Sequence, residues 1–214
     1  MSKQTENRRA VLAALGAAAT AGVLGTSRAE AQSPSSSGAA FTPALHEADA
    51  WMSGMRGKHR VVLDVATAEH VPDAIRFAGN IFTAHRTAYG VDEADIAMII
   101  CLRHGATAYG YGDGIWSKFG KVIDAKAVPP PTGNPYNSGD RMQLADLAKR
   151  GVQYMVCGTA SRGLASRIAG PGGDVDAVLK EMSAHLIPSA RIVAAGVAGV
   201  MHAQERGFSL LHVG

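Results

Sequence analysis

The segment from Asp95 to Leu102 (DIAMIICL) most constrains the fold, because it is almost uninterrupted in its apolar character. A short run of this kind is typical of a strand that is covered on both faces, as in a parallel sheet. Arg60 to Val65 (RVVLDV) is a second such run and is rich in β-branched residues. The two segments therefore predict a sheet that needs helices on both sides.

Helical patterns alternate with further strand patterns along the rest of the chain. Val71 to Tyr89 has apolar residues near the helical period, and Gly90 ends it. The other predicted helices are 44–55, 106–121 (broken by glycines), 141–150 with Asp140 as N-cap, 159–169, 174–185 and 197–206, and the other strands are 152–157, 191–194 and 208–213. Alternation of this type indicates an α/β fold, here a single Rossmann-like three-layer domain with a mainly parallel sheet of about five strands.

The first thirty-one residues have the organisation of an export signal. Arg8 and Arg9 precede a weakly apolar run, and Ala29 and Ala31 form a small-residue cleavage site. The paired arginines and the Ala/Gly-rich run favour the twin-arginine route, with the Sec route or an uncleaved anchor as alternatives. The run is short for a bilayer span, so we expect a periplasmic protein with no stable membrane span after processing.

The charge balance argues against a nucleic-acid partner. The full chain has a net charge of +3, but residues 1–31 carry four basic and two acidic residues. The remaining chain has 17 basic and 16 acidic residues, and this near neutrality removes the main compositional support for nucleic-acid binding. Residues 32–57 are predicted to be a flexible leader with a short helix, and residues 58–214 the domain.

Ligand chemistry in a parallel sheet belongs at the carboxyl ends of the strands. This rule selects His104, Gly105, Cys157, Gly158 and Thr159, with Asp64 as a further candidate. Cys157 precedes a predicted helix, whose N–H groups and dipole stabilise a reactive thiolate. A small buried core residue is the alternative role for this cysteine.

His104 is a candidate proton donor or acceptor beside Cys157, or a ligand for an anion, although an ordinary turn histidine also fits. Gly105, Gly158 and Thr159 are the candidate ligand-binding residues. Cys101 and His104 are too few for a metal site, and no second close pair exists, so we expect no structural metal and no cofactor. Cys101 lies in the middle of a strand and is expected in the core. Cys157 lies at the end of a strand, so the two cysteines are at different heights along the sheet and a disulfide between them is not expected.

The segment Gly151 to Ala160 (GVQYMVCGTA) resembles the DsrE/DsrF-like family of sulfur-relay proteins. Leu186 to Val193, the following Ala195 to Val197, and His104-Gly105 agree with the same family, and the resemblance covers about residues 58–214. It implies a Rossmann-like domain that assembles into homo-oligomers, as trimers or hexamers. It also implies that Cys157 carries sulfur as a persulfide, received from or passed to a partner protein.

Two features depart from the family, namely the export signal and the proline-rich segment from Ala127 to Gly139. The first hypothesis is therefore an exported sulfur carrier or sulfurtransferase-like protein that uses Cys157. The alternative is a non-enzymatic small-ligand-binding or oligomeric assembly module in which Cys157 is structural. An exported enzyme of unrelated chemistry is the third reading, and whether the protein is an enzyme stays open.

Overall fold

The computed structural model describes residues 41–137 and 139–214, and its centre is one parallel sheet. The strands are β1 (His59–Val65), β2 (Ile96–Leu102), β3 (Gln153–Cys157), β4 (Ala190–Val193) and β5 (Ser209–Val213). Their order across the sheet is β4-β3-β2-β1-β5, and every neighbouring pair is parallel. The predicted export signal, with Arg8, Arg9, Ala29 and Ala31, lies outside the described residues.

Helices cover both faces of the sheet. They are α1 (Ala50–Ser53), α2 (Val71–Tyr89), α3 (Asp113–Ile123), α4 (Leu144–Lys149), α5 (Gly158–Ala169), α6 (Val175–Ser183) and α7 (Gly196–Glu205). Side chains of α2 to α6 pack on one face, and those of α1 and α7 pack on the other. The predicted Rossmann-like three-layer α/β fold is confirmed.

Strand β2 is buried along its whole length, as its apolar sequence predicts. Met98 and Ile100 join the core under α2, whereas Ile99 and Cys101 join the core under α7. Such two-sided burial excludes charged side chains from the strand itself. The polar groups of this region therefore lie beyond its end, from Arg103 onward.

The connections bring the site residues to one edge of the sheet. Strands β1 to β4 follow one another across the sheet, and α7 then crosses back so that β5 lies beside β1. The strand order therefore reverses between β1 and β5. In open parallel sheets, ligands bind beyond the carboxyl ends of the strands near such a reversal.

Helix α4 begins later than predicted. Its N-cap is Gln143, and the prediction that Asp140 caps a helix from Arg141 was wrong. Gln143 and Asp146 form a reciprocal capping box, in which the Asp146 carboxylate accepts the Gln143 N–H at 3.2 Å. This pair satisfies two donors at once, which the Asp140 side chain does not do.

The helix predicted over residues 106–121 is divided into two pieces. A 3₁₀-helix spans His104–Gly110, and α3 starts at Asp113. The helix predicted within residues 44–55 is also shorter, with a 3₁₀ turn at Glu47–Asp49 followed by α1. Met52 of α1 is fully buried under the sheet. Among the described residues, no helix is long and apolar enough to cross a membrane.

Candidate functional site

Cys157 ends β3 and is the N-cap residue of α5. Cys157 is buried, with only 4% of its surface exposed. The Ser161 hydroxyl donates to the Cys157 carbonyl at 2.8 Å, and the Tyr111 hydroxyl donates to Ser161 at 2.5 Å. Burial raises the pKa of Tyr111 to about 12, so this phenol stays a donor and the chain of hydrogen bonds holds the Cys157 backbone in place.

The start of α5 is packed against the loop that leads into α7. A β-carbon on Gly158 would lie 2.7 Å from the Val193 carbonyl oxygen, a distance that side chains do not tolerate. The Thr159 hydroxyl donates to the Ala194 carbonyl at 3.3 Å. Gly158 and Thr159, predicted as ligand-binding residues, therefore join two backbone segments next to Cys157.

Helix α7 begins on the other side of the same cysteine. A β-carbon on Gly196, its first residue, would lie 3.3 Å from the Cys157 β-carbon and 2.7 Å from the Arg103 β-carbon. Neither α5 nor α7 has a side-chain cap at its N-terminus. Two helices therefore begin beside Cys157 with their positive dipole ends and without a competing side-chain acceptor.

Cys101 lies deeper on the same face of the sheet and is fully buried. Its thiol donates to the Gly196 carbonyl at 3.6 Å. Burial raises the pKa of Cys101 well above its usual range, so this residue stays a neutral thiol. Both cysteines are free, because the register pairs Cys101 with Met155 and not with Cys157.

Arg103 and Asp64 form a two-point ion pair at the ends of β2 and β1. Arg103 Nε and Nη2 donate to the two Asp64 carboxylate oxygens at 2.6 and 2.8 Å. Both side chains are largely buried, at 15% and 9% exposure. His212 Nδ1 on β5 lies 3.4 Å from the same carboxylate, so three neighbouring strands contribute to one cluster.

The ion pair sets the charge state of both of its members. Burial acts to raise the pKa of Asp64, but the hydrogen bonds and charge of Arg103, helped by His212, hold it below its ordinary value. The hydrogen bonds to Asp64 and the charge of its carboxylate raise the pKa of Arg103, against the opposing effect of burial. The carboxylate and the guanidinium are therefore both charged at neutral pH.

Sequence reasoning named Asp64 but missed Arg103. The available signal was alternation, because Arg103 follows Cys101 by two residues and so continues the same face of β2. A charged side chain directly after a buried strand, on the face of both cysteines, is the pattern that could have identified it.

His104 and Gly105 line a cleft of about 500 Å³ between the 3₁₀-helix and α5. Thr107, Tyr109, Asp124 and Arg167 contribute further polar groups to its wall. Cys157 is not among the residues that line this cleft. Within residues 41–137 and 139–214, His104 forms no hydrogen bond to Cys157. The structure thus brings Arg103, and not His104, to the face of the sheet that holds Cys157.

Metal ligation has no geometric support in the described part of the chain. Those residues contain no group of three or more His, Cys, Asp or Glu side chains that could hold an ion. The cluster around Asp64 includes an arginine, whose charge opposes a bound cation.

Comparison with known proteins adds little to this description. No family model matches the chain, and no curated protein matches it. A similar solved structure is that of a protein of unknown function from Methanobacterium thermoautotrophicum, which is 14% identical with a TM-score of 0.43. The similarity covers 72% of this chain and 99% of the other. A likeness of this degree carries no information on function.

Proposed function

We propose that the protein is an exported sulfur carrier or sulfurtransferase-like protein, similar to the DsrE/DsrF-like family, in which Cys157 holds sulfur as a persulfide. The observation that carries the proposal is the position of Cys157 at the end of β3, where α5 and α7 both begin. Helix N-termini favour an anion, which is the form of both a thiolate and a persulfide.

The transfer needs no oxidant or cofactor. The Cys157 thiolate attacks a sulfur atom of an inorganic polysulfide, which forms a new S–S bond and breaks the adjacent one. The products are the Cys157 persulfide anion and a polysulfide that is one sulfur shorter. An acceptor thiolate then attacks the outer sulfur, takes it as its own persulfide and restores the Cys157 thiolate.

The setting of Cys157 supports this chemistry in two ways. The Tyr111–Ser161 chain holds the carbonyl of the cysteine, and so the backbone that carries the thiol. Low exposure limits the access of free thiols to the bound sulfur, which slows loss of the persulfide by exchange. Periplasmic location, export by the twin-arginine route, assembly as a trimer or hexamer and a donor or acceptor protein belong to the same proposal.

Intact-mass measurement after incubation with sodium tetrasulfide tests the proposal. We expect the full chain to gain the mass of one sulfur atom, and Cys157→Ser to gain none. Cys101→Ser is the matched control, because it removes the other buried thiol and should load like the unaltered chain. Equal loading of all three proteins, or no loading of the unaltered chain, would contradict sulfur carriage by Cys157.

A specific observation favours binding of a small ligand as a second candidate function. The cleft beside His104 has a volume within the range of small-molecule sites, and it holds Arg167 and Tyr109 with no hydrogen bond from either side chain in the described residues. The protein would then be a binding or assembly module, with Cys157 as a packed residue. Native mass spectrometry of the full chain tests this, because a co-purified molecule should be lost from Arg167→Gln and kept by Cys157→Ser.

A further inference from the structure

Arg103 and Cys157 occupy neighbouring positions on one face of the sheet. The register pairs Leu102 with Val156, so the next residue of each chain segment lies at the same level. Gly196 packs between them, since a β-carbon there would meet the β-carbons of both. The β-carbons of Arg103 and Cys157 thus flank the first residue of α7, and the guanidinium extends from there to Asp64 on β1.

The guanidinium keeps a free donor group in this arrangement. Its Nε and Nη2 are bound to Asp64, whereas Nη1 forms no hydrogen bond within the described residues. An arginine carries five N–H donors, so the ion pair uses only part of its capacity. Asp64 therefore fixes the plane of Arg103 and leaves its remaining donors for another anion.

The range of the attraction follows from the charges. Asp64 cancels the charge of Arg103 at a distance, so the pair does not attract anions through space. Close to the guanidinium its free N–H groups still form charge-assisted hydrogen bonds, and the uncapped N-termini of α5 and α7 add positive partial charge. The site therefore distinguishes an anionic from a neutral molecule only when the molecule is in contact with it.

We propose that Arg103 makes Cys157 selective for anionic sulfur donors, such as inorganic polysulfide, over neutral donors of similar size. The inference rests on the proposed function of Cys157. Arg103 contacts the negative terminus of the donor, and Asp64 is a positioning residue that holds the guanidinium. The donor's charge, which is spread toward the leaving group as the S–S bond breaks, is then stabilised where it develops.

Two alkylating reagents of nearly equal size separate charge recognition from simple accessibility. Iodoacetate is anionic and iodoacetamide is neutral, and each forms a carbon–sulfur bond with the Cys157 thiolate and releases iodide. The measured quantity is the ratio of the two rates at Cys157, read from the masses of its peptide in the full chain. A change that only alters exposure or packing of the thiol affects both reagents, so the ratio reports the charge preference.

Variants of the ion pair give opposite expectations. Arg103→Gln should lower the iodoacetate-to-iodoacetamide ratio about tenfold, the effect expected for loss of a charge-assisted hydrogen bond. Asp64→Asn should keep or raise the ratio, because the asparagine amide oxygen still accepts a hydrogen bond from the guanidinium while the counter-charge is lost. Arg103→Lys should retain part of it, since the charge stays but the planar fork is lost. A purely structural ion pair would instead leave the ratio unchanged in both Arg103→Gln and Asp64→Asn.

The control is Arg162→Gln, which removes an equal charge from an exposed position on α5. It should leave the ratio within twofold of the unaltered chain. An unchanged ratio in Arg103→Gln, or an equal change in Arg162→Gln, would overturn the inference. If Arg103→Gln does not fold, Asp64→Asn and Arg103→Lys are used to test the inference. A fall in the ratio for Asp64→Asn also overturns the inference.

The outcomes for Arg103 and for sulfur carriage are distinguishable. Tetrasulfide loading reports whether Cys157 takes sulfur, whereas the alkylation ratio reports charge preference with no sulfur donor present. If Cys157 takes sulfur from tetrasulfide but the alkylation ratio does not depend on Arg103, only the proposed selectivity is overturned. If the alkylation ratio depends on Arg103 but Cys157 takes no sulfur from tetrasulfide, the proposed function is overturned. The anion that the site prefers is then not a sulfur donor.

Discussion

Cys101 and Cys157 share one face of the sheet but lie two residues apart in register on adjacent strands. This offset places their Cα atoms roughly 8 Å apart, from strand spacing and rise per residue. A disulfide requires about 7 Å or less. We therefore expect no bond between them after air oxidation, so that alkylation in denaturant without reductant labels both thiols. A mass two hydrogens lower, with no label, would contradict the register.

Removing one partner of the ion pair between Arg103 and Asp64 should strongly destabilise the protein. We expect Asp64→Asn to lower the free energy of unfolding by about 3 kcal/mol, because it leaves a largely buried guanidinium without its counter-charge. The double variant Asp64→Asn with Arg103→Gln should lose less than the sum of the single changes. Urea denaturation measures all three, and strictly additive losses would argue against coupling.

The same carboxylate predicts a dependence of stability on pH. The pKa of Asp64 is lower in the folded protein than in the unfolded chain, so its stabilisation is complete above the unfolded value and is lost as pH falls through the folded value. The difference in unfolding free energy between the unaltered chain and Asp64→Asn should shrink as the pH falls below about 4. Urea titrations at four pH values measure this difference.

Comparison with the variant is needed because other carboxylates act in the same direction. Arg150 lowers the pKa of Glu93 through hydrogen bonds, which adds its own acid sensitivity. That contribution is common to both proteins and cancels in the difference. A gap that grows on acidification would contradict the direction given for Asp64.

Gly158 has no room for a side chain, whereas Gly163 on the same helix has open space around it. Gly158→Ala should therefore destabilise the protein by about 1–3 kcal/mol, since the backbone carbonyl of Val193 must move. Gly163→Ala should stabilise it by about 0.5–1 kcal/mol, as alanine is the better helix former. Thermal unfolding of the two variants checks the opposite signs, and equal effects would contradict the close approach at Gly158.

His104 has a positive φ of 48°, a conformation that costs energy for a residue with a side chain. Replacement by glycine and by alanine removes the imidazole in both cases, so their difference isolates the backbone. We expect His104→Gly to be more stable than His104→Ala by about 1 kcal/mol in urea denaturation. Greater stability of the alanine variant would mean that the backbone at this position is unstrained.

The order of strands and helices could be predicted because it depends on local patterns. Val71 to Tyr89 has a helical period and is followed by Gly90, which adopts the left-handed conformation at the helix end. The start of α4 could not be predicted as well. Asp140 and Gln143 are both acceptable caps by composition, and the choice depends on the reciprocal bond to Asp146.

The site was only partly predictable, because its members come from separate strands. The rule for strand ends selected Cys157, Asp64 and His104 without deciding which of them meet. The face on which each side chain lies depends on register and on the 3₁₀ turn at His104, and neither has a local signature. Alternation along β2 places Arg103 on the face of Cys101, but its ion pair with Asp64, 39 positions away, has no local signature.

Strand β5 pairs with β1, although every other strand lies between them in the sequence. During synthesis, β1 therefore keeps an unpaired edge until residues 209–213 have left the ribosome. A nascent chain that stops earlier lacks the hydrogen-bond partners that β5 supplies to β1. The native sheet is thus completed only when its last strand has been made, and until then the free edge of β1 is a place where another chain can pair.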